Sequence, residues 1–176
     1  MRIRSAIAVV VIAIIASACG GDAEPAGVAR EVGPLPVPTA EVVLTISGAV
    51  GQPNVGDEVQ ADLAGIESLG TVDVTIFEPF ISEEIAFTGV PLETVLRAAG
   101  IGEDVPLIWT ALDDYQVDFT LAELAEDGAL LATRQAGEPL AIADGGPIRV
   151  IFTETDGDLA QNTNEWIWSL VRVDAG

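Results

Sequence analysis

The sequence predicts an α+β domain in which mixed and antiparallel strands are combined with short helices. Short β-branched segments and short helical segments follow one another in the 176 residues without the regular strand–helix–strand rhythm of a parallel sheet. Apolar residues make up 49% of the chain, which is enough to form a folded core. The length fits a single compact domain with appendages.

Six segments have the β-branched or alternating pattern of strands. In the first of them, residues 42–48, Leu44 and Ile46 fall on the same face. The other predicted strands are residues 72–77, 105–112, 129–133, 148–152 and 166–173.

Helix-start and helix-stop signals mark three short helices between these strands. Asp62 is a suitable N-cap for a helix that ends near residue 69. Pro91 suits the first position of a second helix, which Gly100 ends. Thr120 and Glu123 have the spacing of a capping box and predict a third helix.

The charge composition excludes several kinds of chemistry. The chain has 28 acidic residues, seven basic residues and no histidine, which gives a net charge of -21, and all seven basic residues are arginine. Without His and Lys there is no Ser-His-Asp triad, no His-ligated zinc and no P-loop lysine. We expect no nucleic-acid partner, because a polyanion is bound by clustered cations that this chain lacks.

The N-terminus has the pattern of an export signal. Arg2 and Arg4 precede an apolar run over residues 6–16, and small residues lead to Cys19, the only cysteine. This arrangement resembles the lipobox of bacterial lipoproteins, although Ala16 stands where that family usually has Leu. The resemblance implies a signal peptide over residues 1–19 with lipid on Cys19; the alternative is an ordinary secretory signal that contains a cysteine.

This interpretation predicts the organisation and location of the chain. Residues 20–40 are rich in Gly and Pro and are expected to form a tether, and residues 41–176 form the folded domain. A lipid anchor would hold the domain outside the cytoplasm, on a membrane of the cell envelope. The expected partners are that membrane and a small ligand or another envelope protein.

Three acidic or cationic segments are candidates for a site. Asp113-Asp114-Tyr115, followed by Asp118, could bind a cation or a hydrogen-bonding ligand, or could simply form a turn. Residues 154–165 imitate the spacing of a calcium loop, but Leu159 replaces its glycine, so an acidic loop between strands is favoured. Arg149 follows the turn at residues 144–147 and is either paired with a carboxylate or offered to an anion.

Four motifs in order resemble the molybdopterin-binding domain of the sulfite oxidase family in its short bacterial form. The resemblance covers about residues 42–173 and implies that family's fold. It also implies that Tyr115, Asp113 and Arg149 lie at the cofactor cleft. The motifs are Phe87-Thr88-Gly89-Val90-Pro91-Leu92-Glu93-Thr94-Val95-Leu96, Ala111-Leu112-Asp113-Asp114-Tyr115, Leu130-Leu131-Ala132, and Gly145-Gly146-Pro147-Ile148-Arg149-Val150-Ile151 ahead of Trp166.

Departures from the family pattern argue against its usual cofactor. The cysteine that ligates molybdenum in active members has no counterpart in residues 72–87, and Glu165-Trp166 replaces a Lys-Trp pair. We therefore expect no catalytic residue, no metal ligand and no cofactor, and favour a non-catalytic protein that binds a ligand or another protein. Two alternatives are a divergent molybdopterin-dependent oxidoreductase, with the metal held by pterin alone or by a carboxylate such as Asp113, and an acidic cation-binding lipoprotein.

Overall fold

The computed structural model describes residues 32–154 and 157–176, which form two five-stranded sheets with short helices. This architecture confirms the predicted α+β class. The strands are β1 Val42–Gly48, β2 Val59–Asp62, β3 Val72–Glu78, β4 Glu83–Pro91, β5 Leu107–Ala111, β6 Gln116–Phe119, β7 Ala129–Gln135, β8 Glu138–Pro139, β9 Arg149–Phe152 and β10 Leu170–Ala175. The α-helices are α1 Leu63–Glu67, α2 Leu92–Ala98, α3 Leu121–Glu126 and α4 Asp158–Gln161, and Ile142–Asp144 and Thr163–Glu165 form 3-10 turns.

The first sheet has the strand order β2-β1-β10-β5-β6. Strands β1 and β10 are parallel, and the remaining neighbours are antiparallel. Leu44 and Ile46 of β1 are both buried, as their predicted shared face requires. Strands β1 and β10, which are far apart in the sequence, are therefore neighbours in this sheet, and Thr45 lies opposite Arg172.

The second sheet is antiparallel and is organised around β7. Strand β4 pairs with β3 on one side and with β7 on the other. The opposite edge of β7 is shared by β9 and the two-residue strand β8. Every residue of β9 is buried, so this strand carries Arg149 into the interior.

The helix signals in the sequence correspond to observed caps. The Asp62 carboxylate accepts a hydrogen bond from the Gly65 amide at 2.7 Å and begins α1. Thr120 and Glu123 form the expected capping box of α3. Gly100, with φ of 74°, follows the end of α2 in the left-handed conformation that favours glycine.

The segment before β1 packs on the domain, although the sequence assigned it to the tether. Leu35 is 2% exposed, and the Asn54 side chain donates to the carbonyl groups of Leu35 and Pro36. The amide groups of Thr39 and Ala40 donate to Asp62. The predicted signal peptide, Cys19 and residues 20–31 lie outside the described residues.

Several elements differ from the sequence-based expectations. Strands β2, β4, β6 and β8 were not predicted, and Pro91 is the last residue of β4 and the N-cap of α2, one position before the predicted first helical position. Residues 158–165 contain a helical turn and a 3-10 turn where an acidic loop was expected. The last strand begins at Leu170 and not at Trp166, because the preceding segment bonds to β9, where the Val150 amide donates to the Ile167 carbonyl. Within the described ranges, none of the helices has the length and apolarity that a membrane span requires.

Asp62 provides a test of the acid dependence of folding. Hydrogen bonds from Gly65 and from the amides of residues 39 and 40 hold the pKa of Asp62 below its ordinary value of 3.8. This stabilisation is therefore present above pH 3.8 and is lost as the pH falls through the lowered pKa. We expect Asp62→Ala to lower the Tm at neutral pH and the deficit to shrink in acid. Thermal melts of the exposed-site control Asp57→Ala should follow the native protein, and a deficit for Asp62→Ala that ignores pH would contradict this role.

Candidate functional site

An open cleft of about 360 Å³ lies beside Tyr115. Four aromatic side chains line it, together with the carboxylate of Asp113 and a small number of polar or small groups. The lining residues are Phe80, Ala111, Asp113, Tyr115, Thr163, Asn164, Trp166 and Trp168. They come from the β3–β4 turn, the β5–β6 turn and the segment that precedes β10.

The β5–β6 turn brings Asp113 and Tyr115 into this cleft together. The Asp113 carboxylate accepts a hydrogen bond from the Tyr115 amide at 3.2 Å, so the residue both shapes the turn and faces the site. The Tyr115 hydroxyl donates to the Asn164 carbonyl at 2.9 Å, which ties the turn to the opposite wall. Asp114, between them, does not line the cleft.

The segment before β10 supplies the two tryptophans. Trp166 is 6% exposed and donates its indole N–H to the Ala160 carbonyl, whereas Trp168 is partly exposed. Gly145, with φ of 84°, lies against Trp168, and a Cβ atom there would come within 3.0 Å of the indole. The Ser169 amide donates to the Gly145 carbonyl at 2.6 Å. The loop before β9 is thus fitted to one side of Trp168.

A buried ion pair supports the aromatic wall. Arg149 Nη2 donates to Glu78 Oε1 at 2.8 Å, and their side chains are 3% and 1% exposed. The other Glu78 oxygen accepts hydrogen bonds from the amides of Phe80 and Ile81, both at 2.9 Å. Glu78 therefore shapes the turn that carries Phe80 to the cleft.

Arg149 also contacts the wall directly. Its guanidinium carbon lies 4.3 Å from the centroid of the Trp168 ring and 5.6 Å from that of Phe87. These are cation–π distances. Burial lowers the pKa of Arg149, and the hydrogen bond and charge of Glu78 oppose this shift. Arg149 thus packs against the ring of Trp168, whereas Glu78 positions Phe80.

Edge-to-face aromatic contacts connect the cleft to the core. Phe80 contacts both Trp168 and Trp166, with ring centroids 5.2 and 6.3 Å apart. Trp166 in turn contacts Phe152, at 5.8 Å. The contacts continue through Phe119 to the fully buried Trp109. The rings of Phe80 and Trp166 are therefore packed against other aromatic side chains, which gives this part of the cleft a defined shape.

Strained backbone is concentrated in the turns that form the cleft. Four non-glycine residues of the described chain have positive φ, and three of them are Ser82 at 57°, Asp114 at 66° and Ser169 at 49°. Each belongs to one of the three segments that line the site. Such conformations cost about 1–3 kcal/mol each and persist where the surroundings enforce them.

The three site residues proposed from the sequence have different environments. Asp113 and Tyr115 line the cleft. Arg149 does not, because its guanidinium is buried against Glu78; of its two interpretations, the structure has the carboxylate pair. Its assignment to a cofactor stays a prediction. Phe80 and Trp168 were missed; the aromatic residue after Pro79 and the alternating Trp166-x-Trp168 pattern were the only available signals.

A second, acidic cleft of about 530 Å³ lies between the end of α3 and the start of α4. Its lining includes Glu123, Glu126, Asp127, Glu154 and Asp158. Asp127 is 7% exposed and accepts a hydrogen bond from the Leu159 amide at 2.6 Å, so its carboxylate holds α4. Within the described ranges, no group of three acidic, His or Cys side chains is arranged to hold a metal ion.

The residues of the aromatic cleft do not fit a phosphorylated pterin with a thiolate-bound metal. Among the residues that the structure describes, no cationic side chain lines the cleft. Each arginine of the described residues is paired with an acid: Arg97 with Glu93 and Glu103, Arg134 with Glu67, Arg149 with Glu78, and Arg172 with Asp174. A phosphate group at the mouth would approach the Asp113 carboxylate without a neutralising partner.

The two sheets and the loops that form the cleft define an α+β domain. Residues 77–159 match the family described as oxidoreductase molybdopterin binding domain. The match confirms the resemblance inferred from the four sequence motifs. It includes Glu78, Asp113, Tyr115 and Arg149, and ends before Trp166. Comparison with curated proteins gives no match.

The buried pair predicts a large stability difference between two arginine variants. Arg149→Met leaves Glu78 buried without its cation and should lower the free energy of unfolding by about 3–5 kcal/mol. Arg97→Met removes an exposed i,i+4 pair with Glu93 and should cost about 0–1 kcal/mol. Urea unfolding of both variants measures the difference.

A double variant separates unpaired charge from lost packing. Glu78→Leu combined with Arg149→Met removes both charges, so it should recover part of the stability lost by Arg149→Met alone. The importance of the pair would be refuted by an Arg149→Met variant as stable as Arg97→Met.

Proposed function

We propose that this chain is an exported, lipid-anchored protein whose molybdopterin-binding-like domain binds a ligand without catalysing a reaction. The observation that carries the proposal is the open aromatic cleft, for which the described residues provide no cationic side chain. A preformed cleft with mainly aromatic walls and a few polar groups is typical of small-molecule sites.

The chemistry of the lining supports a binding role over a catalytic one. The chain has no His or Lys to act as a general base or an amine nucleophile. The Tyr115 hydroxyl already donates to the Asn164 carbonyl. Asp113 is exposed and accepts a backbone hydrogen bond from Tyr115. These groups can orient a ligand.

The lipid anchor is supported by the N-terminal sequence. The basic start, the apolar run over residues 6–16 and Cys19 have the order of a lipoprotein signal. If Cys19 carries the lipid, the exported domain retains no thiol to ligate a metal. The single cysteine would then attach the protein to the membrane, and for the same reason none would remain in the domain to bind molybdenum.

The alternative function is a divergent molybdopterin-dependent oxidoreductase. The family match supports it, because that family is described by molybdopterin binding. The metal would have to be held by pterin alone or by a carboxylate such as Asp113. The third interpretation, an acidic cation-binding protein, rests on the acid-rich segments alone.

Molybdenum content distinguishes the first two functions. We expect protein purified from molybdate-supplied cells to contain far less than one molybdenum atom per chain, because the cleft provides neither thiolate nor phosphate-binding cation. Elemental analysis measures this, with a molybdenum enzyme from the same cells as the positive control. A stoichiometric content would contradict the proposal and establish the alternative.

The anchor is tested separately at Cys19. In a bacterial host, the native chain should incorporate labelled palmitate and sediment with membranes, whereas Cys19→Ser should lose both properties because it lacks the acylated thiol. Ser17→Ala, two residues away, serves as the matched control and should keep the label. Membrane attachment of Cys19→Ser would argue against lipidation at this residue.

A further inference from the structure

We propose that the aromatic cleft selects a small organic cation with an apolar body, of the quaternary-ammonium type. This inference rests on the proposed ligand-binding function and specifies the chemical class of the ligand. It follows from three properties of the cleft: its rings, its charge and the neutralised ion pair behind it.

The rings provide the attraction for such a ligand. Phe80, Tyr115, Trp166 and Trp168 surround one space of about 360 Å³. An alkylammonium group attracts the electron-rich faces of such rings, and its methyl groups lose little hydration when they are buried. Phe80 and Tyr115 are 47% and 44% exposed, so part of their ring surface is available to a ligand.

The charge of the cleft favours a cation over an anion. Among the described residues that line the cleft, Asp113 is the charged one. Burial, together with the negative charges of Asp118 and Glu123, raises the pKa of Glu165, which stands between the lining residues Asn164 and Trp166. A chain with net charge -21 also attracts cations over longer distances.

The buried arginine does not reverse this preference. Arg149 lies against the Trp168 ring, but its charge is neutralised by Glu78 at 2.8 Å. The pair therefore holds Trp168 in place without presenting net positive charge to the cleft. A cationic ligand consequently meets aromatic rings and the Asp113 carboxylate.

Three probes of matched shape test the ligand class. Choline, 3,3-dimethylbutan-1-ol and 3,3-dimethylbutanoate present the same branched head with a positive, neutral or negative charge. We expect choline to bind at least ~10-fold more tightly than the alcohol, and the carboxylate to bind most weakly. Isothermal titration calorimetry of the purified full chain at constant ionic strength measures the affinity of each of the three probes.

Two variants assign the preference to this cleft. Asp113→Asn should weaken choline binding by ~5-fold and alcohol binding by a clearly smaller factor, because the full charge of Asp113 attracts only the cation. Asp104→Asn, an exposed acid outside the cleft, is the matched control and should change choline binding by less than ~2-fold. Phe80→Leu keeps an apolar side chain but removes a ring, so it should reduce the ratio of choline to alcohol affinity.

The binding results test the preference for a cation, and they can fail without refuting the proposed ligand-binding function. Equal or tighter binding of the alcohol or the carboxylate would overturn the cation preference and leave a ligand-binding cleft. Absence of choline binding up to about 50 mM would also overturn it. The binding function would then depend on the molybdenum analysis, which uses none of these probes. Choline binding unaffected by both Asp113→Asn and Phe80→Leu would place the cation elsewhere and refute the assignment.

Discussion

The ion pair between Glu78 and Arg149 determines the form of the site. Two opposite charges buried to this extent are stable only when each is paired and hydrogen-bonded. Here the pair joins the end of β3 to β9, which β4 and β7 separate from β3 in the same sheet. Each partner controls a different wall of the cleft, since Glu78 accepts from the Phe80 amide and Arg149 stacks on Trp168. The aromatic cleft is therefore a consequence of how this domain accommodates charge in its interior.

Local signals in the sequence predicted the fold better than they predicted the site. Asp62, Gly100 and the Thr120–Glu123 box act within a few residues of the chain, so their patterns could be read directly. Strand β4 was missed because Gly89 and Pro91 look like helix-entry punctuation, and only its pairing with β3 and β7 makes it a strand. The partner of Arg149 lies 71 residues away and became evident only from tertiary structure.

The family match and the residues that line the cleft indicate different functions. Fold membership predicts the position of a cleft, whereas the residues of the cleft decide what it binds. In this chain aromatic rings and Asp113 form the walls of the cleft beside Tyr115. Every arginine of the residues that the structure describes forms an ion pair with a carboxylate. None of these arginines lines the cleft, where it could bind a phosphate. The proposed change of function thus combines the missing thiolate with a cleft whose described lining carries acid and no cation.

The most direct test of this account follows the indole N–H signals of the three tryptophans by NMR while choline is added. Trp166 and Trp168 line the cleft, whereas Trp109 is fully buried in the core and serves as an internal reference. We predict saturable shifts of the Trp168 and Trp166 signals with little change at Trp109. Unchanged signals for the two cleft tryptophans, or equal shifts for all three, would contradict the account.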